Sequence, residues 1–340
     1  MRFRLLLVFL SVLLGACSKT NAPVRLDFIG NTALTSSNRS VGPNDTLTTR
    51  AYAVGNESPL RRLRIEVTYA PGLSPILYPL PLSNFNLDNA PGSQTIVYLD
   101  SLITPIPNSP TYTSPYKGGE YIFNNRFSAR STSGTELWQY TATDAAGESA
   151  SRAYRITVRK PDSAAVFHNY AVLMRPRPAT ASDTLRNRAR VFLNLRYGLL
   201  LPRYAVLNNE ATVQPNQKLI DLVCVTSSTG GTIRLDGMAA DSLARQLSGA
   251  RWPRANRNAT RLLRTTLSAA QFADARTTSS FASAFAAATP FTRDSLSTGV
   301  LARGSVVAFR TGEGYYGLLL VGELVPGTAP LINCSIRVQK

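Results

Sequence analysis

Strict alternation of apolar and polar residues is the feature that most constrains the fold of this chain. It runs through residues 63–69, 138–142 and 154–158. A period of two places successive side chains on opposite faces of a β-strand, so one face of each segment is buried and the other meets water. Further strand candidates are residues 24–29, 46–54, 94–100 and 119–130. About seven strands separated by turn signals predict a β-sandwich over residues 24–160.

The end of this region carries a spaced motif. It has the pattern W-x-Y-x-A-x-D-x-x-G from Trp138 to Gly147, followed by a closing strand at 152–158. The motif resembles the end of an immunoglobulin-like or PKD-like domain of bacterial surface proteins. That resemblance implies an Ig-like sandwich without the inter-sheet disulfide of antibody domains. It says little about function, because such sandwiches host many functions.

The second half of the chain has a mixed pattern. Ser268 and Gln271 have capping-box spacing, and Phe281 and Phe285 share one helical face with two alanines, so the interval 238–289 is predicted to be helical. Strands are predicted on either side of it, at residues 168–174, 190–197, 219–226, 305–310, 317–325 and 332–338. The predicted fold class is therefore mainly β: a sandwich, a linker at 161–167 and an α+β domain at 168–340 with short inserted helices.

The first 16 residues have the pattern of an export signal. Two arginines precede an apolar run, which ends in small residues before Cys17. Leu14-Gly15-Ala16-Cys17 resembles the lipobox of bacterial lipoproteins. The resemblance implies cleavage by signal peptidase II and a diacylglycerol on Cys17, with residues 17–23 as a lipidated tether. We expect an outer-membrane anchor, and either the periplasmic or the surface face fits.

The C-terminal segments Gly317–Val321 and Ile336–Lys340 resemble those of uncharacterised Bacteroidota-type lipoproteins. This resemblance brings no known activity with it. Together with the N-terminal motif it places the chain, as an expectation, among bacterial cell-envelope lipoproteins.

Positive charge is concentrated in the second half. The chain has 37 Lys and Arg against 20 Asp and Glu, and the net charge is +15 once Arg2 and Arg4 are removed with the signal. Residues 24–160 carry 13 basic and 10 acidic groups, whereas residues 161–340 carry 21 and 10. Such an excess favours anionic partners. Export argues against nucleic acid, which leaves an acidic glycan or envelope component, or a solvated basic surface with no specific partner.

The sharpest charged feature is a row of arginines spaced by three and four residues, with a tryptophan beside it: Arg251, Arg254, Arg257, Arg261, Arg264 and Trp252. On a helix, this spacing would align the guanidinium groups on one face as an anion-binding stripe. Pro253, Asn256 and Asn258 favour a solvated loop instead. Both interpretations are open at this point.

The pattern G-x-G-x-x-G at Gly312–Gly317 is the other candidate motif. A dinucleotide site needs a helix after the glycines, and here a strand candidate follows, so a hairpin turn is the better interpretation. Tyr315 and Tyr316 would lie at its tip as aromatic contacts. Cys224 and Cys334 sit in strand candidates, either as a disulfide or as two separate buried thiols.

These observations predict a non-catalytic binding or adhesion module. The chain has one histidine, and two cysteines besides Cys17, too few for a zinc site, and it lacks a nucleophile elbow. No cofactor is expected beyond the lipid on Cys17. The alternatives are a structural subunit of an envelope protein assembly and, third, an envelope-polymer hydrolase.

Overall fold

A computed structural model describes most of the chain. The predicted export signal, Cys17 and most of the predicted linker lie outside the described residues. No helix in the described part of the chain is long and apolar enough to cross a membrane. The described residues are 22–71, 93–103, 115–159, 166–207, 213–243, 247, 251–291 and 294–340.

Residues 22–159 form a sandwich of two β-sheets, called the sandwich below. Its strands are β1 Val24–Phe28, β2 Arg39–Val41, β3 Thr46–Gly55, β4 Leu60–Pro71, β5 Gln94–Leu102, β6 Glu120–Ser128, β7 Gly134–Asp144 and β8 Ser149–Val158. One sheet has the order β1-β3-β6 and the other β2-β8-β7-β4-β5. Neighbouring strands are antiparallel except β2, which runs parallel to β8. Among the described strands, β5 and β6 each lie at the end of a sheet, and both line the same cavity.

The alternating pattern places its apolar residues between the two sheets. Trp138 and Tyr140 of β7 are buried and pack against Phe127 of β6 and Phe28 at the end of β1. A buried polar contact adds specificity, because the Thr49 and Tyr154 hydroxyls lie 2.6 Å apart across the two sheets. A satisfied polar pair of this kind fixes how the sheets align.

All seven strands predicted for this region are present, and the structure adds the three-residue strand β2. The motif ends in a tight turn between β7 and β8, where the Asp144 carboxylate accepts hydrogen bonds from the Ala146 and Glu148 amides. Membership of the immunoglobulin-like or PKD-like group stays a prediction. The mainly-β fold class is confirmed.

Residues 166–340, called the second half below, contain two further sheets and short helices. The strands are β9 Phe167–Met174, β10 Arg190–Asn194, β11 Leu199–Pro202, β12 Leu222–Thr226, β13 Ile233–Gly237, β14 Arg261–Arg264, β15 Thr289–Pro290, β16 Val306–Arg310, β17 Tyr316–Val325 and β18 Leu331–Gln339. The sheets have the orders β11-β10-β12-β13 and β15-β14-β16-β17-β18-β9. The helices are α1 Asp183–Arg188, α2 Gln214–Gln217, α3 Ala269–Asp274 and α4 Thr278–Ala287.

The helical prediction for 238–289 is correct only at its end. Ser268 and Gln271 make both hydrogen bonds of a capping box at α3, and Phe281 and Phe285 bury one face of α4. Where the structure describes it, the earlier part of the interval contains two short 3₁₀ turns and strand β14 instead. Strand β14 forms because Leu262 and Leu263 are both buried, one on each face of its sheet.

The sandwich and the second half share one continuous apolar core. Asn44 makes a polar contact across the junction, since its Nδ2 donates to the Ala171 carbonyl over 2.8 Å, and its Oδ1 is held within the sandwich by Ser131 Oγ, which donates to it over 2.6 Å. Asn44 has φ of 63°, a left-handed conformation that asparagine tolerates. Asn216 Nδ2 also donates to the Val97 carbonyl on edge strand β5, over 2.6 Å.

Candidate functional site

The larger of two described cavities lies at this junction and is called the junction cleft. Its volume is about 770 Å³, within the range of ligand pockets. Edge strands β5 and β6 of the sandwich form one wall. The opposite wall is formed by the second half of the chain. It consists of Leu173 at the end of β9, the segment from Arg175 to Arg190, and the residues around strand β11. This side of the sandwich is thereby turned into a site that both parts of the chain build.

Arginine is the dominant polar side chain of the junction cleft. No aspartate, glutamate or histidine is among its described lining residues. None of the arginines makes an ion pair with another described residue. The five arginines that line it are Arg126, Arg175, Arg177, Arg188 and Arg190. A concave surface with one sign of charge focuses the field and attracts counterions of the opposite sign.

Arg190 is half-buried in the cleft. Burial lowers the pKa of its guanidinium, and the nearby guanidinium of Arg126 lowers that pKa further. Its Nη1 donates to Ser128 Oγ at the end of β6. Like-charged groups at close range without a carboxylate between them are costly, so an anion bound between them is favoured.

Two tyrosines form an aromatic floor beside these charges. The rings of Tyr98 on β5 and Tyr204 meet edge to face, with centroids 5.8 Å apart. Burial raises the pKa of both phenols, and Arg190 opposes that effect at each. At neutral pH the phenols are therefore uncharged, and they leave the positive charge of the cleft intact.

A smaller cavity of about 480 Å³ adjoins the junction cleft and shares Arg177 and Ala189 with it. Phe192, Val223 and Leu243 are among the apolar residues that line it, and Arg186 and Arg203 add positive charge. Burial lowers the pKa of Arg203, and Arg186 and Arg251 act in the same direction. The positive field thus extends beyond the junction cleft.

The arginine row predicted from the sequence does not form a helical stripe. Arg254 begins a 3₁₀ turn, whereas Arg261 and Arg264 occupy the two ends of strand β14, with their guanidinium groups over the Phe285 and Phe291 rings. The helical interpretation is wrong because Pro253 and the buried leucine pair of β14 impose other conformations.

Trp252 and Arg257 have structural roles within the same segment. Trp252 is fully buried, and its Nε1 donates to the Asn256 carbonyl over 3.0 Å, so it offers no exposed stacking surface. The Arg257 guanidinium donates to the carbonyls of Trp252 and Leu247, so it ties these two residues together. Arg251 stays exposed at the start of the loop.

The glycine motif forms the turn between β16 and β17, as the hairpin interpretation predicts. Tyr315 and Tyr316 are half-buried at this turn. The Arg196 guanidinium lies 4.1 Å from the centroid of the Tyr315 ring, and Tyr316 packs edge to face on Phe285. Both rings are therefore already in contact with the protein itself, which leaves little aromatic surface at the tip.

Cys224 and Cys334 are free and buried thiols in strands β12 and β18. The disulfide alternative is therefore not what the structure shows, and the buried-thiol alternative describes both residues. Burial raises the pKa of each thiol, so both stay protonated. Among the described residues, no group of three or more His, Cys, Asp and Glu is placed to hold a metal ion.

Comparisons with known proteins give no family for this chain. No protein family and no curated protein matches it. A DUF4466 family protein from Parabacteroides merdae ATCC 43184 is 12% identical with a TM-score of 0.30, over 94% of this chain and 99% of that one. The sporulation control protein Spo0M from Bacillus subtilis is 13% identical with a TM-score of 0.25, over 66% and 82%. At these scores neither structure assigns a function or a site.

Proposed function

We propose that this protein is a non-catalytic, lipid-anchored binding module of the cell envelope, and that it holds an anionic ligand in the junction cleft. One observation carries the proposal: five arginines line a single cavity that has no carboxylate among its described lining residues. Arginine's planar fork matches carboxylates, sulfates and phosphates. The chemistry of the cleft therefore agrees with the anionic partner expected from the net charge.

The other two candidate functions have less support. Hydrolysis of a glycan would need a pair of carboxylates flanking a cleft, and neither described cavity is lined by aspartate or glutamate. A structural subunit would bind its neighbours through an extended surface, and a concave charged cleft is not what such contacts require. Binding of an anion accounts for the arginines directly.

The test measures binding of three probes to the mature chain by calorimetry: tripolyphosphate, a galacturonic acid hexamer and a neutral glucan hexamer. We expect at least one anionic probe to bind, the glucan to remain unbound, and the affinity to fall as salt rises because counterions screen the cleft. Failure of both anions to bind at low salt would contradict the proposal.

A matched pair of variants locates the site. Arg126→Gln with Arg188→Gln removes one exposed arginine from each wall of the cleft, whereas Arg254→Gln with Arg264→Gln removes the same charge elsewhere. We expect the first variant to lose at least tenfold in affinity, about 1.4 kcal/mol, and the second to stay within twofold. Equal losses in both would show that overall charge, and not the cleft, binds the anion.

A further inference from the structure

The junction cleft runs along the free edge of a β-strand. Within the described residues, β6 is hydrogen-bonded only to β3 and ends its sheet. Residues 123–126 of β6 line the cleft consecutively, and Ser128 follows. Successive side chains of a strand point to opposite faces, so a cavity that meets consecutive residues must lie along the strand's edge.

The side chains at the centre of this edge are already engaged. Asn124 Oδ1 accepts from the Arg50 guanidinium over 2.8 Å on the outer face. Asn125 Nδ2 donates to the Tyr140 hydroxyl over 2.7 Å in the core of the sandwich. The backbone N–H and C=O groups of successive β6 residues point alternately to β3 and to the opposite edge, so every second residue along 123–128 offers both groups to the cleft. An unpaired row of such groups is a template for another strand.

We infer that the ligand of the junction cleft is an extended acidic polypeptide segment that adds to the edge of β6 as a further strand. The inference rests on the proposed anion-binding function and names its partner class. Main-chain hydrogen bonds to β6 would supply affinity, and acidic side chains would meet the five arginines. Residues 123–128 span about 20 Å at roughly 3.3 Å per residue, enough for a strand of five to six residues.

Charge complementarity selects an acidic strand over other occupants. A second copy of the mature chain would bring a strongly basic surface to a basic cleft, since its net charge is +15. An acidic glycan would match the arginines, but it has no ladder of N–H and C=O groups to pair with the strand edge. Of these occupants, only an acidic polypeptide would both pair with the edge of β6 and neutralise the arginines.

The experiment compares three probes on the mature chain: a ten-residue peptide of alternating Glu and Thr, the same peptide N-methylated at every central amide, and a galacturonic acid oligomer of equal charge. N-methylation keeps the charge but removes the donors for strand pairing. We expect the plain peptide to bind at least tenfold more tightly than either of the others. Amide hydrogen exchange at residues 123–128 should slow at least tenfold when the plain peptide is bound, and it should not slow with either of the other two probes.

Each other outcome is informative. Equal binding of both peptides, with unchanged exchange in β6, would overturn strand addition while leaving anion binding intact. A tenfold preference for the galacturonic acid oligomer would overturn the peptide class and make an acidic glycan the ligand. Absence of binding by all three probes would overturn the inference together with the proposed function. The Arg126→Gln, Arg188→Gln variant must bind the plain peptide with at least tenfold lower affinity. If its affinity is unchanged, the peptide binds elsewhere.

Discussion

Asp221 is a carboxyl group enclosed in the core of the second half. Its Oδ2 accepts a hydrogen bond of 2.7 Å from the Leu195 amide, and its Oδ1 lies 3.5 Å from the Thr260 hydroxyl. Burial raises its pKa to about 7, and the charge of Glu313 contributes in the same direction. The folded state therefore prefers the protonated form of Asp221 across a wide range of mildly acidic pH.

This preference predicts a loss of stability as pH rises. Between the unfolded pKa of 3.8 and the folded value of about 7, the folded state binds the proton and the unfolded state does not. The contribution of Asp221 is complete below that window and is lost as pH rises through 7, a change on the order of 4 kcal/mol. Urea unfolding at pH 5 and pH 8 measures the part of this change that lies between pH 5 and 7, about 2.7 kcal/mol.

Asp221→Asn is the matched variant, because an amide keeps the acceptor for Leu195 and adds a donor for Thr260. We expect its free energy of unfolding to change less between pH 5 and pH 8 than that of the native protein, and to exceed it at pH 8. If the two proteins lose the same free energy over this interval, Asp221 does not titrate as described.

At the scale of single elements, β17 contains two glycines with different surroundings. Gly317 pairs with Phe309 in β16 and with Val338 in β18, and a Cβ there would overlap the Phe309 ring and the Arg337 carbonyl oxygen. At Gly322 the nearest atom to a Cβ is the Asn333 carbonyl oxygen at 3.4 Å, an ordinary contact. Only the first position requires glycine for space.

We expect Gly317→Ala to lower the free energy of unfolding by about 1–3 kcal/mol, because the Phe309 ring must shift within a packed sheet. Gly322→Ala, in the same strand, should change it by less than about 0.5 kcal/mol. Urea denaturation of the two variants gives both values. Similar losses at the two glycines would mean that glycine is required at position 317 for backbone conformation, and not for space beside the Phe309 ring.

Element prediction succeeded for the alternating strands and for longer apolar runs such as the one that forms β12, and it failed at β14. The alternation around Trp138 and Tyr154 predicts β7 and β8 because solvent on one face preserves the period of two. Strand β14 is four residues long and buries Leu262 and Leu263 on opposite faces, so it has no alternation to detect. The spacing of the arginines at its two ends therefore fits a helical face or a solvated loop, and it gives no signal for a strand.

At the scale of the whole molecule, the site itself was beyond sequence reasoning. Arg126 belongs to the sandwich and Arg190 to the second half, and only the packing of the two parts brings them to one cleft. The sequence predicts the excess of positive charge in the second half. Its arginine spacing, however, points to the segment from Arg251 to Arg264 as the anion-binding site, and not to the junction cleft. Spacing along the chain identifies neighbours within one element, not residues that meet across a junction.

The continuous core predicts that both parts unfold together. The chain has two tryptophans, and both are buried: Trp138 in the sandwich and Trp252 in the second half. Single-tryptophan variants, Trp138→Phe and Trp252→Phe, each leave one reporter. We expect the fluorescence midpoint of each variant in urea to coincide with its own midpoint by circular dichroism. Separate midpoints in either variant would show that the two parts unfold independently.

The two buried thiols have a consequence for how the chain must mature. On the proposed export route, the chain would meet enzymes that oxidise cysteines while it is still unfolded, and Cys224 and Cys334 would then be as reactive as any other cysteines. Once the strands that carry them close over the core, neither sulfur reaches the surface. The two thiols therefore stay reduced only when the chain folds faster than they are oxidised. Rapid burial of β12 and β18 would favour the native protein with free thiols.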